Sequence, residues 1–106
     1  MAYQHTGDLY SAIQFYSKVL SIDPHCDITL NNLGFALAKN RQWSEAIKCY
    51  RQAIEIDPYY AIVYDNLTKI SWEQVDPFVL EDTIHFLSNR DPITTNLQKA
   101  LESLIN

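Results

Sequence analysis

At 106 residues, with 47% apolar and 20% charged side chains, the chain has the makeup of one compact globular domain. Thirteen acidic against eight basic residues give a formal net charge of -5, the wrong sign for tracking a phosphate backbone, so nucleic acid is excluded as an expected partner. Nowhere do eighteen apolar residues run together, and Met1 to Asp8 has neither the basic start nor the apolar core of a secretory signal, so a cytoplasmic protein without membrane insertion is expected.

The first predicted element is a helix over roughly Asp8 to Ile22. Leu9, Ala12, Ile13, Tyr16, Val19 and Leu20 recur there at helical spacing and make a broad apolar face. A second helix, roughly Asp27 to Asn40, carries the stripe Leu30, Leu33 and Leu37, and a third, ending near Ile56, carries Ala46, Tyr50 and Ala53. Gly34 and Ala46 lack bulk and let these two helices approach closely, with Tyr50 filling the space between them. Pro58 has no amide donor and biases Asp57 away from helical geometry, so the chain turns there. The next helix starts at Ala61 with Tyr64 and Leu67 inside. Its successor has Asp76 as N-cap, Pro77 at the first helical position, and Leu80, Ile84 and Leu87 as buried stripe. Finally, Leu97, Leu101 and Leu104 define a terminal helix within Ile93 to Asn106, for which Thr95 and Gln98 form the expected capping box. Gln98, Lys99, Glu102 and Ser103 give it a polar exterior.

Asp-Pro occurs at Asp23-Pro24, Asp57-Pro58 and Asp91-Pro92, and the prolines are 34 residues apart both times. Ala12-Ile13, Tyr16 and Ile22 line up with Ala46-Ile47, Tyr50 and Ile56 on the same period, whereas Asp76-Pro77 lies off it as a helix start. The middle unit, with Leu30, Leu33-Gly34, Leu37, Trp43, Ala46, Tyr50, Ala53 and Pro58 in signature positions, resembles a tetratricopeptide repeat. The resemblance implies an all-α protein, an α-solenoid of antiparallel helix pairs. About two and a half units plus a capping helix are expected: an incomplete first repeat at 1–26, a full one at 27–60, a divergent third at 61–94, and a cap at 95–106. In the third unit Thr68 replaces the glycine, and Leu80 and Leu87 replace alanines, so its helices are expected to pack further apart. Counting back from Asp27 leaves only Met1 to about Thr6 for the first helix of the first unit.

No catalytic constellation stands out. The serines lack a G-x-S-x-G setting, Gly7 and Gly34 cannot make a phosphate loop, and Glu55, Asp57 and Asp65 read as helix-surface charges, so no enzymatic activity and no cofactor are expected. Cys26 and Cys49 lack C-x-x-C spacing and read as reduced, and His5, His25 and His85 sit in unrelated contexts, so no metal is expected. The sequon Asn66-Leu67-Thr68 falls mid-helix and reads as accidental.

The resemblance implies instead a concave groove that holds a peptide or protein segment, lined by the first helix of each unit. The matching positions are Ile28, Asn31, Asn32, Phe35, Ala38 and Lys39 in the middle unit, then Ile62, Asp65, Asn66, Lys69, Trp72 and Glu73 in the third. Asn32 and Asn66 are one period apart and would stack as a ladder whose amides donate to and accept from a peptide backbone, or would satisfy local helix contacts. Phe35 and Trp72 would offer apolar contact in the groove or pack on a neighbouring helix. Ile62, Asp65 and Asn66 stand where the family's carboxylate clamp wants cations, which argues against that specialisation. A structural alternative is that the face of Leu9, Ile13, Tyr16, Val19 and Leu20 is covered by a second copy, giving a homo-oligomer, or by upstream repeats. Side chains of this size are worth about 1.5–3 kcal/mol each when fully buried. A further alternative is a targeting segment of a larger enzyme, since glycosyltransferases and phosphatases bear such repeats.

Overall fold

The computed structural model describes the backbone of residues 6–90 and 94–105, and these are helical throughout, with short connections. The order is α1 (Thr6–Ile22), α2 (Asp27–Lys39), α3 (Trp43–Ile56), α4 (Ala61–Thr68), a 3-10 turn (Trp72–Gln74), α5 (Pro77–Ser88) and α6 (Thr95–Ile105). The starts of α2, α4 and α6 are one 34-residue period apart, as are those of α3 and α5. The terminal helix is thus the third member of the series begun by α2.

The aspartates of the Asp-Pro pairs explain the boundaries. Asp57 is extended (φ -136°, ψ 92°), which ends α3. Its carboxylate accepts a hydrogen bond from the amide two residues on, that of Tyr59, at 3.1 Å. Asp23 does the same for His25 (3.3 Å) and Asp76 for Phe78 (2.9 Å), the last as the N-cap of α5. Off the period or on it, the dipeptide builds the same local turn. Asp91-Pro92 lies outside the described residues, as do Met1–His5 of the stretch Met1 to about Thr6 expected to represent the first helix of the first unit, while Thr6 opens α1.

The closest packing is between α2 and α3, and its cause is Gly34: a Cβ added there would lie 2.5 Å from Cε1 and 2.8 Å from Cδ1 of Tyr50. The ring fills the space the glycine leaves, and Tyr50 is 1% exposed. The two helices are joined through Arg41, whose φ of 63° is left-handed, a conformation the sequence did not announce because no glycine marks it. α1 packs on α2, α3 on α4, and α6 lies across both α4 and α5. One continuous core runs from Leu30 through Tyr50, Val63, Tyr64, Leu67 and Leu87 to Leu104. Tyr64 anchors α4 to the preceding turn, its hydroxyl donating to the Pro58 carbonyl at 2.6 Å.

Two boundaries differ from expectation. The first helix of the third unit stops at Thr68, whose hydroxyl turns back onto the Asp65 carbonyl at 2.6 Å. Lys69, Trp72 and Glu73 therefore lie beyond it. The capping box at α6 is replaced by Thr94, one residue earlier: its hydroxyl accepts from the Leu97 amide at 3.1 Å and its carbonyl from Gln98 N at 2.9 Å. Threonine at either position satisfies the pattern S/T near a first apolar residue, which is why the sequence did not separate them.

Candidate binding groove

Ile28, Asn32, Phe35 and Lys39 are spaced four, three and four residues apart, one stripe along α2. Ile62, one period after Ile28, starts the matching stripe on α4. The three large apolar side chains of this surface are left in water: Ile28 is 58%, Phe35 47% and Ile62 51% exposed. Lys39 Nζ sits 5.3 Å from the Phe35 ring centroid, and Lys69 pairs with Asp65 at 3.1 Å on the solvent side. Exposed pairs of this kind contribute little to stability.

The asparagine ladder is different from the expected one. Asn66 does not stack in register with Asn32; its Nδ2 donates to Asn31 Oδ1 at 2.9 Å, and both partners are buried. The bond joins residues 35 apart, one more than the period, so the first helices of successive units face each other through adjacent, not identical, positions. Asn31 and Asn66 thus tie α2 to α4 and are withdrawn from the groove, while Asn32 remains half-buried. Trp72 is also withdrawn: it packs against the core, and its Nε1 donates to the Leu67 carbonyl at 3.0 Å. Of the expected positions, Ile28, Asn32, Phe35, Ile62, Asp65 and Lys69 present surface, whereas Asn31, Asn66 and Trp72 serve the fold.

The face expected to be bare on α1 is half-covered. Leu9, Ile13, Tyr16, Val19 and Leu20 are all half-buried, Ile13, Tyr16 and Leu20 through packing on the core. The exposed large side chains of α1 are Tyr10 (62%), Phe15 (63%) and Ile22 (82%). Between α1 and α2 runs a cleft of about 380 Å³ whose walls include Leu9, Ala12, Tyr16, Asn32, Phe35 and Ala36.

A second cleft, about 720 Å³, opens between α3 and α5. It is bridged by Arg51 to Asp82 at 2.9 Å and, beyond its end, by Arg90 to Glu55 at 3.1 Å. The Phe86 ring lies between the two guanidinium groups, 4.5 and 4.8 Å from its centroid. Sequence reasoning missed this lattice. Its pairs are 31 and 35 residues apart, so no local i, i+4 pattern reveals them.

The described residues offer little reactive chemistry. Cys26 and Cys49 are free thiols, and burial, with Glu45 nearby, pushes the Cys49 thiol up to about 11, away from nucleophilic thiolate. Burial likewise raises the Tyr50 and Tyr64 phenols. Among the described residues no group of three or more His, Cys, Asp or Glu side chains could hold a metal ion, and no helix is long and apolar enough to cross a membrane.

Helix pairs stacked at a fixed period, with Gly34 against Tyr50 and exposed stripes on successive first helices, define a helical-repeat interaction module. Models of the tetratricopeptide repeat match residues 1–26 and 28–60, together more than half of the chain, and the protein belongs to the tetratricopeptide repeat family, whose repeats generally mediate protein–protein interaction. The chain is also 34% identical, over 74 residues, to the probable UDP-N-acetylglucosamine--peptide N-acetylglucosaminyltransferase SPINDLY of Hordeum vulgare. That alignment covers 63% of this chain and 8% of the relative's length.

Proposed function

We propose that the protein is a non-catalytic module that holds a peptide or protein segment on the α2–α4 surface, with Ile28, Phe35 and Ile62 as apolar anchors. The carrying observation is that these three side chains stay about half exposed or more (58%, 47% and 51%) on a protein whose other first-helix apolar residues, such as Leu30, Leu33, Val63 and Leu67, are buried. Asn32 supplies an amide at the middle of the α2 stripe, able to donate and accept beside an apolar contact. On the α4 side Lys69 is already paired with Asp65, which argues against a lone carboxylate being held there.

A random peptide library displayed against the whole chain tests this reading. Selected peptides should bind the unaltered protein at least ten-fold more tightly than an Ile28→Asp/Ile62→Asp variant of unchanged helicity. Equal affinity for both proteins overturns the groove assignment.

The likeness to SPINDLY favours a second reading, a targeting segment within a larger enzyme. In that case the same surface would hold a protein substrate, and the chemistry would reside outside these helices. Fusing the chain to an unrelated catalytic domain should then raise turnover of a tethered substrate peptide only when Ile28 and Ile62 are intact.

A further inference from the structure

Phe78 is 79% exposed in the first turn of α5, and nothing in the packing of the helix pairs requires a phenyl ring there. It lines the cleft between α3 and α5. Three side-chain contacts tie the walls of that cleft together in the same order along the chain, so the two helices run parallel: Trp43 Nε1 donates to Gln74 Oε1 at 3.1 Å, Arg51 meets Asp82 at 2.9 Å, and Arg90 meets Glu55 at 3.1 Å. The first two ties each join residues 31 apart, and the same offset sets Ile47 against Phe78 and Lys48 against Val79. Between these ties, eight residues or about 12 Å of helical rise, lies a compartment with Ile47 and Lys48 on one wall and Phe78 and Val79 on the other. Ile47 is 1% exposed and forms its apolar floor, and Val79 is half-buried.

The charges of the cleft decide what it would take. Asp82 and Glu55 are each held by an arginine, and both guanidinium groups stack on Phe86, which fixes the far end of the cleft. Lys48 is exposed and has no ion-pair partner among the described residues. The unspent charge of the compartment is therefore positive, beside an apolar floor and an open aromatic ring. We infer that it is a docking site for a short peptide segment of another protein that carries an acidic side chain within two residues of a bulky apolar one. The apolar side chain seats over Ile47 and Val79 against the Phe78 ring, and the carboxylate pairs with Lys48. In an extended segment, residues two apart point to the same side, which lets one segment make both contacts. The tied walls are already in place, so little ordering of the protein is needed on binding. This site lies on second helices of the repeats, shares no residue with the Ile28–Ile62 surface and does not rest on it.

The test selects peptides from a random display library against the whole chain carrying Ile28→Asp/Ile62→Asp, so that the α2–α4 surface is disabled from the start. Enrichment of Asp or Glu within two residues of Phe, Trp or Leu is expected, and capped synthetic copies should shift the amide resonances of Ile47, Lys48, Phe78 and Val79. Phe78→Ser in the protein should weaken these copies at least ten-fold. Lys48→Glu should weaken them several-fold, and a copy with its acid replaced by lysine should recover the loss. Both side chains are exposed, so the two variants are expected to keep the helicity of the parent. Absence of any enriched peptide, enrichment without an acid, unchanged affinity in either variant, or shifts centred away from the cleft overturns the assignment. So does a dimer of the chain in sedimentation that Phe78→Ser dissolves, since a second copy then covers the ring. Failure of the α2–α4 reading leaves all of these outcomes unchanged.

Discussion

Replacing Gly34 with alanine puts two known effects in opposition at one site. Alanine favours a helix interior over glycine by about 0.8–1.0 kcal/mol, so on propensity alone the change stabilises the protein. The new methyl would lie 2.5, 2.8 and 3.1 Å from Cε1, Cδ1 and Cζ of Tyr50, where relaxed carbon atoms sit about 3.5–4.0 Å apart. The ring must retreat by roughly 1 Å, and at 1% exposure it has no open space to enter. Overpacking of this kind costs about 1–3 kcal/mol, so a net loss of about 1 kcal/mol is expected, a fall in Tm of about 4–8 °C for a domain of this size. A double-mutant cycle in urea with Tyr50→Leu isolates the cause. The smaller side chain removes the clash, and Gly34→Ala should become stabilising in that background, a coupling of about 1–2 kcal/mol. A stabilising Gly34→Ala in the otherwise unaltered protein, by the full propensity value, would refute the close approach of α2 and α3 as the reason for the glycine.

Asn66→Leu removes the donor that satisfies a buried carbonyl and should cost about 1–3 kcal/mol in urea unfolding, whereas the Asn31→Leu/Asn66→Leu pair should recover part of that loss because no polar group is left stranded. Alkaline pH should destabilise the fold: the Cys49 thiol ionises near 9 unfolded but at about 11 folded, so the unfolded chain loses its proton first and stability falls as pH rises from 9 to 11. The raised Tyr50 and Tyr64 phenols extend the fall above pH 10, and Cys49→Ala should flatten only its first part, as read from urea midpoints.

Most of the architecture was legible because one period governs it. The Asp-Pro pairs located the turns through a mechanism that the structure repeats at Asp23, Asp57 and Asp76, a carboxylate accepting from the amide two residues on. Leu30, Leu33 and Leu37 read as core and are core. The site was less legible. Sequence equivalence paired Asn32 with Asn66, but a hydrogen bond between neighbouring helices needs facing positions, and the face of Asn66 is opposite Asn31. Helix length also escaped: Thr68 is permitted in a helix interior, and its hydroxyl bond to the Asp65 carbonyl and the Trp72 bond to Leu67 decide where α4 ends. Such bonds are tertiary choices. The Arg51–Asp82 and Arg90–Glu55 bridges are of the same kind, since each needs two helices placed before either partner can be named.

A period of identical backbone positions separates what a residue is from what covers it. Tyr16 and Tyr50 are the same side chain at the same place in the repeat, yet one is half-buried and the other 1% exposed. Asn32 and Asn66 divide in the same way, one lining a cleft and the other closed in a hydrogen bond. Composition and helical spacing cannot cause these differences, because they are shared; the neighbouring helix does. Ile28, Phe35 and Ile62 have no buried counterpart one period away among the described residues, and for that reason theirs is the surface proposed to hold a ligand.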